Sequence, residues 1–397
     1  MNELNFYEKI VGLPDLEITL AEESATKLIL HGRFKKSQAL CPGCLQTTGK
    51  INQVDVRKFR DLKISEREVW LHISIPQFYC ITCRRYFFEH PVWVMPGKSY
   101  TRRQAKWIFE MCEKQAFTQV AALTNICVKT IERLFYTVAE KVVDLPQRYA
   151  QVRHLGIDEV AYRKGQKKYV CVLTDLERGI QLDILPDRRK ETIISHFQSL
   201  GENFCHQIQV VACDMWRPYS QVATQCFPQA QTVIDRFHVV KLLNQVLDTE
   251  RKKLRKSEPA EAYFKQIKWA LFKSATICSR EEKKQLKQAF SKSPLLAKLH
   301  ELRGSFNQLF EEAENKLALK TGLTNWLHQA ALVGCDSLKR FTKTVVNWQE
   351  LIAAFADKRI TNAVTEGLNN YLRYMQRISF GLSNFKNMRL RILVASA

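Results

Sequence analysis

The sequence predicts an α/β protein: a mixed-sheet core interrupted by an all-helical stretch, preceded by a small metal-bound β module and a short helical module. Three observations carry this reading. Two Cys-x-x-Cys pairs, Cys41 with Cys44 and Cys80 with Cys83, flank a strand-like alternation. Between His154 and Asp235, strand-like apolar runs and helix-like amphipathic runs succeed one another, with acids inside or at the ends of the strands. From 248 to about 358 the pattern turns Lys-rich and helical in period, and strand signals vanish.

Composition narrows the partners. Across 397 residues, 61 Lys and Arg stand against 40 Asp and Glu, a formal charge of +21 spread over the whole chain. An excess of that size goes beyond what solubility asks for and points to a polyanion, most simply nucleic acid, bound in a salt-dependent way. There is no apolar run long enough for a membrane helix, and the N-terminus lacks the basic start and apolar stretch of a secretion signal, so no membrane partner and a cytoplasmic location are expected. Of 12 cysteines, four form the two pairs and the rest are scattered, which fits reduced thiols with a metal site better than a disulfide framework.

Residues 1–98 are expected to hold N-terminal strands, at Leu16–Leu20 and Lys27–His31, and a zinc ribbon. Val69, Leu71, Ile73 and Ile75 alternate with Trp70, His72 and Ser74 between the cysteine pairs. Four thiolates on two tight turns suit a tetrahedral zinc, with Pro42 and Gly43 closing the first turn; four sulfur ligands leave no open position, so the ion is structural. The Arg84–Phe88 segment either faces DNA or packs the small domain. Residues 99–146 read as a helix-turn-helix: a helix through Trp107 and Met111, another over Thr118–Thr124, a break at Asn125–Cys127, and a last helix over Val128–Val143. Lys129, Thr130 and Arg133, with Glu132, would lie on its recognition helix; an ordinary helical hairpin has the same pattern. Leu145-Pro146-Gln147 is expected to stop the helix and mark a linker.

The core, 150–247, opens with a hairpin whose strands meet at Lys164-Gly165-Gln166 and whose first strand carries Asp158. A carboxylate in a partly buried strand requires a hydrogen-bonded cation or a metal. Gly179 turns the chain into a strand at Ile180–Leu185, followed by a helix at Lys190–Leu200, a strand at Ile208–Asp214, a helix at Tyr219–Cys226 and a strand at Thr232–Asp235. That order describes a ribonuclease-H-like mixed sheet, in which the first and fourth strands are neighbours and Asp158 meets Asp214. Two carboxylates about 4 Å apart repel by roughly 1 to 4 kcal/mol, and a hard divalent cation reverses the sign. Asp235 also ends an apolar strand and competes for the second position. Residues 248–358 form the helical insertion, whose lysines either line a DNA channel or make a solvated face. Residues 359–397 return to the core with a helix, Ile360–Ile378, that places Asn362, Glu366, Asn369, Asn370, Arg373 and Arg377 on one face and Val364, Leu368, Tyr371, Leu372, Met375 and Ile378 on the other. Glu366 there is a metal ligand beside a phosphodiester, or a surface contact of Arg373.

Four motifs, Gly156-Ile157-Asp158-Glu159, Asp214-Met215-Trp216, Asp235-Arg236-Phe237-His238 and Glu366-Gly367-Leu368-Asn369-Asn370, resemble those of the DDE transposases of bacterial insertion sequences, specifically the zinc-ribbon group called ISL-three. The Cys-Pro-x-Cys module and the ending Arg377-Ile378-Ser379-Phe380-Gly381-Leu382-Ser383-Asn384-Phe385-Lys386-Asn387 extend the resemblance over nearly the whole chain. It implies Asp158, Asp214 and Glu366 as catalytic, metal-binding triad for two Mg²⁺ (or Mn²⁺) ions, and Asp235-x-x-His238 as a signature lying near the active site. His238 would move a proton or touch a DNA phosphate, or be a satisfied core histidine. Arg373, Arg377 and Lys386, with Asn369 and Asn370, would hold DNA. The expected partners are double-stranded DNA, as element terminal inverted repeats and as target, and further copies of the chain assembled on it in the bacterial nucleoid. A structure-specific nuclease or resolvase on the same fold, or an inactive DNA-binding regulator, are the rival readings.

Overall fold

The computed structural model describes residues 3–163, 168–257, 263–273, 277–379 and 384–396, and they fall into two units, Met1–Val142 and Val143–Ala397. The first unit begins with α1 (Glu3–Val11), β1 (Leu16–Glu23), β2 (Lys27–Phe34), β3 (Ala39–Leu40), β4 (Thr47–Thr48), β5 (Ile51–Ile64), β6 (Arg67–Cys80) and β7 (Arg85–Phe88). Five of these strands form a sheet ordered β1-β2-β6-β5, with β7 also on β6; β2 runs parallel to β6 and the other pairs are antiparallel. The alternation read in β6 has the expected consequence: Val69, Leu71, Ile73 and Ile75 are fully buried against Leu30, Phe59 and Trp93. The Arg84–Phe88 segment divides at Tyr86. Phe87 stacks on Phe78 and Phe88 lies under Arg57, while Arg84, Arg85 and Tyr86 are exposed.

Three helices complete this unit: α2 (Arg102–Lys114), α3 (Phe117–Thr124) and α4 (Val128–Val142). The Thr101 hydroxyl caps α2 by accepting from the Gln104 N–H and donates to buried Asp61 at 2.7 Å. Asn125, at φ 53°, closes α3 in the left-handed region, and Phe109, Phe117, Phe135 and Tyr136 pack the three helices together.

The second unit corrects one expectation at once. Leu145-Pro146-Gln147 does not form a linker but opens a short helix, α5 (Leu145–Tyr149), because proline fits a first helical turn and Asp144 accepts from the Gln147 N–H. Then come β8 (His154–Arg163), β9 (Lys168–Asp175), β10 (Ile180–Leu185), α6 (Lys190–Leu200), α7 (Glu202–Gln207), β11 (Val210–Cys213), α8 (Arg217–Cys226), β12 (Gln231–Ile234) and α9 (Arg236–Ser257). The turn expected at Lys164-Gly165-Gln166 lies outside the described residues. The sheet order is β10-β9-β8-β11-β12: an antiparallel meander whose first strand pairs in parallel with β11, which pairs in parallel with β12. Gly179, at φ +68°, makes the tight turn from β9 to β10.

One face of this sheet, through Leu155, Ile157, Cys171 and Leu173, shares a continuous core with the helical stretch. That stretch comprises α10 (Tyr263–Gln266), α11 (Arg280–Lys292), α12 (Pro294–Glu312), α13 (Lys316–Ala331), α14 (Asp336–Ala353) and α15 (Phe355–Lys358). Phe306, Trp326 and Phe341 interlock at its centre, and the Trp326 indole donates to the Leu302 carbonyl at 2.8 Å. The boundary expected between 247 and 248 falls inside α9, which runs through it without a break. Val239, Leu243, Val246 and Leu247 form one buried stripe that serves both the sheet and the helical stretch.

The opposite face, Val160, Val170, Val172 and Ile184, is covered by α16 (Ala363–Ile378) and α17 (Phe385–Ala395) through Leu372, Met375, Met388 and Ile392. The faces of α16 differ from those expected. Its inward stripe is Thr365, Asn369, Leu372 and Met375, continued by buried Asn362 just before the first turn, while Val364 is exposed. Gly156 permits this approach. A β-carbon there would stand 2.7 Å from Asn362 Oδ1, 2.9 Å from Leu176 Cδ2 and 3.0 Å from Thr365 Oγ1. Gly156→Ala should therefore push the start of α16 off the sheet and cost about 1 to 3 kcal/mol, measured as a lowered midpoint in urea or thermal unfolding.

Candidate active site

Parallel strands in register carry their side chains side by side, and β8, β11 and β12 use this to align three acids. Ile157 is paired with Cys213 and Cys213 with Ile234, so the next residues, Asp158, Asp214 and Asp235, stand in a row. Asp158 points to the α16 side of the sheet, where it is 5% exposed. Its Oδ1 accepts from the Glu159 N–H at 2.7 Å and its Oδ2 from the Asn369 amide at 2.6 Å. Burial and then the charge of Asp214 push its carboxyl up to about 6, against the pull of the Glu159 N–H, His238 and Asn369.

Asp235 and Asp214 part in role. Asp235 is buried, and its Oδ1 accepts the Phe237 N–H at 3.2 Å, capping the first turn of α9. Asp214 lies beyond the end of β11 with its side chain 24% exposed. His238 stands between them, Nδ1 at 2.5 Å from Asp214 Oδ1 and 3.5 Å from Asp235 Oδ2. Burial opposes its protonation, but the two carboxylates outweigh burial and raise the imidazole to about 10, so His238 is a cation at neutral pH.

Glu366 is not drawn into this group. It sits on α16 one turn before Asn369, 40% exposed, with Oε1 3.2 Å from Arg373 Nη1, which also donates to Asn370 Oδ1 at 2.7 Å. The structure thus gathers Asp158, Asp214, Asp235 and His238 and leaves Glu366 on the neighbouring turn. Asn369, expected to face DNA, is fully buried and holds Asp158 instead, because it occupies the inward stripe of α16. Asn370, Arg377 and Lys386 are exposed, as are Lys129 and Arg133 on α4, where Thr130 is half-buried. Asp158 and Asp214 are the kind of oxygen donors that a hard divalent cation takes, but no third ligand atom is gathered with them among the described residues. Asn369 Oδ1 is buried without a hydrogen-bond partner among the described residues, as an oxygen beside a cation or its water would be.

A supporting cluster on the other face of the sheet escaped sequence reasoning. Glu159 accepts from Arg188 at 2.5 Å and from the Tyr219 hydroxyl at 3.0 Å, and Arg188 lies over the rings of Tyr169 and Trp216. It braces the segment after Asp214. Arg188 sits in a loop, where no periodicity marks it.

In the first unit, Cys41, Cys44, Cys80 and Cys83 have sulfurs all within 4.8 Å of one another, the one such metal-capable group among the described residues. Cys44 and Cys80 sulfurs are 3.6 Å apart, close to the edge of a tetrahedron with about 2.3 Å zinc–sulfur bonds. The Gly43 N–H, then that of Cys44, bring Cys41 down to about 7, while the Cys44 thiol, burial and the other sulfurs raise Cys83 to about 12. Such a set needs a cation to ionise together, and structural Zn²⁺ supplies it.

These two centres coincide with two matches to known families. A model described as a zinc-finger of the transposases IS204, IS1001, IS1096 and IS1165 matches residues 37–83. The DDE transposase model of the ISL3 group matches residues 155–392, more than half of the chain. The chain belongs to this transposase family. Similar proteins include the transposase for insertion sequence element IS1001 of Bordetella parapertussis, 26% identical over 94% of this chain and 93% of that one. The transposase for IS1557 of Mycobacterium tuberculosis is 23% identical over 82% and 78% respectively.

Two tests follow from the two centres. Cys80→Ser should abolish stoichiometric zinc, read by metal analysis, and loosen the first unit, read by proteolysis; chelation of the wild type should do the same. Asp158 binds its proton more tightly folded than unfolded, so its contribution to stability is full below pH 3.8 and is lost as pH rises through about 6. Asp158→Asn removes that loss. Without divalent cation its stability relative to wild type should grow by on the order of 3 kcal/mol between pH 4 and 7, measured by urea unfolding.

Proposed function

We propose that the chain cuts and rejoins DNA at the ends of an insertion sequence, with Asp158, Asp214 and Glu366 as metal-binding carboxylates on a ribonuclease-H-like sheet. The observation that carries this is the alignment of Asp158 and Asp214 on paired parallel strands, beside a helix that brings Glu366 within one turn of the Asp158 contact. The meander followed by two parallel strands is the order that such a sheet requires. Bound Mg²⁺ or Mn²⁺, as a pair, would polarise the phosphodiester and activate water, and later a DNA 3′-hydroxyl, for in-line displacement.

The chain's own residues do the rest. Asn369 orients Asp158, and His238 holds Asp214 in place and offsets the negative charge of the row. Glu366 joins the two aspartates by leaving Arg373, which then becomes available to a DNA phosphate beside Arg377 and Lys386. In the first unit the zinc ribbon orders its surroundings, and α3 and α4 act as a helix-turn-helix, with Lys129, Thr130 and Arg133 meeting the terminal inverted repeats. The charge of +21 fits a double-stranded DNA partner. Joining two element ends calls for more than one copy of the chain on the DNA. No helix among the described residues is long and apolar enough to cross a membrane, in keeping with work in the cytoplasm on the nucleoid.

Asp158→Asn, Asp214→Asn and Glu366→Gln should each lower strand cleavage of a labelled element-end duplex by at least about a hundredfold, with end binding retained in a mobility-shift assay. Cleavage at the wild-type rate in any one of them removes that residue from the site. A pre-cleaved end offered with target DNA distinguishes a transposase, which joins them, from a nuclease, which does not.

A further inference from the structure

We infer that Phe237 is a stacking platform for an unpaired nucleobase next to the scissile phosphate. This rests on the DNA-cleaving reading above and adds a specificity-determining residue to it. Phe237 lies between Asp235 and His238, and its N–H donates to Asp235 Oδ1 at 3.2 Å, so its backbone is tied to the acid row. Its ring stands 5.4 Å from the His238 ring, edge to face, and is still 49% exposed. One turn on, Lys241 reaches to 5.8 Å from the centre of the ring.

Its neighbour Arg236 shows what the position could have done instead. That side chain turns into the helical stretch, 2.7 Å from Glu311 and over the Phe310 ring. Phe237 makes no such contact: its large apolar ring is half exposed, one residue before His238 and beside the Lys241 cation.

A polynucleotide substrate provides one chemical partner for such a surface. Its phosphates suit Lys241, and its bases have flat π faces that stack on an aromatic ring with little regard for sequence. In intact duplex those faces are covered by the neighbouring base pairs. The ring can be covered only by a base that has left the stack, and the nucleotide flanking the bond being cut is the one brought to Asp158 and Asp214. A phenylalanine has two side-chain torsions to fix, so little freedom is lost when the base arrives.

The test uses the full-length, zinc-loaded chain and element-end duplexes carrying 2-aminopurine at successive positions on both sides of the cut, in Ca²⁺ for fluorescence and in Mg²⁺ for cleavage. Wild type should quench the 2-aminopurine at one position beside the scissile phosphate. Phe237→Ala should lose that quenching, bind the end as tightly as wild type, and cleave about tenfold more slowly. Phe237→Trp should restore quenching and rate, and an abasic nucleotide at the quenched position should erase the difference between Phe237→Ala and wild type. The inference is overturned if wild type quenches nowhere near the cut, if Phe237→Ala quenches and cleaves normally, or if it loses end binding altogether. The last result would mean that the ring packs against protein in the assembled complex. Wild-type cleavage that persists in Asp158→Asn would instead sink the reading of the active site, so the two failures are told apart.

Discussion

The parallel pairing of β11 with β8 is the constraint on which the rest of the site depends. It brings Asp214 beside Asp158 whatever the electrostatic cost, and the surroundings are arranged to bear that cost. Asn369 donates to one carboxylate, and His238 is held charged against the other. Asp158 is nonetheless left with a carboxyl raised to about 6. Because the Asn369 amide on α16 holds Asp158, the state of that carboxylate is coupled to the packing of α16 against the sheet.

Glycine at 156 and asparagine at 369 belong to one arrangement. The absence of a β-carbon on β8 lets the start of α16 come down on the sheet, and only then does the Asn369 amide reach Asp158. The same descent sets Glu366 on the rim, where Arg373 holds it. The third carboxylate is therefore separated from the first two by a side-chain ion pair that is 40% exposed on the glutamate side. Exposed pairs of this sort are weak, roughly 0 to 1 kcal/mol, so little holds Glu366 to Arg373.

Much of this was legible in the sequence, for local reasons. The paired cysteines announced the zinc site because a tetrahedral ion needs two tight turns, and the turns need neighbours in sequence. The meander, the Asn125 break and the single-acid helix were readable from period, glycine and left-handed or capping residues. Three readings went astray where tertiary packing overrode local pattern. Asn369 looked like a DNA contact, since an amide among arginines usually faces water; here it satisfies a buried acid. Pro146 looked like a linker residue; the helix before it does end, at Val142, but Pro146 then sits in the first turn of a new helix that Asp144 caps. The boundary at 247 looked like a change of character, yet one buried stripe of α9 serves both sides.

By itself the sequence determined the four-cysteine zinc ribbon, the order of the sheet strands and the strong positive charge, because ligand type, backbone preference and net charge are properties of residues and their near neighbours. Tertiary structure alone decided that Asp235 caps a helix while Asp214 is held by His238, that Glu159 faces away from Asp158 toward Arg188, and that the Phe237 ring is left half exposed. Those outcomes depend on strand register and on which side of the sheet each helix covers, and both are set by contacts between residues far apart in the chain.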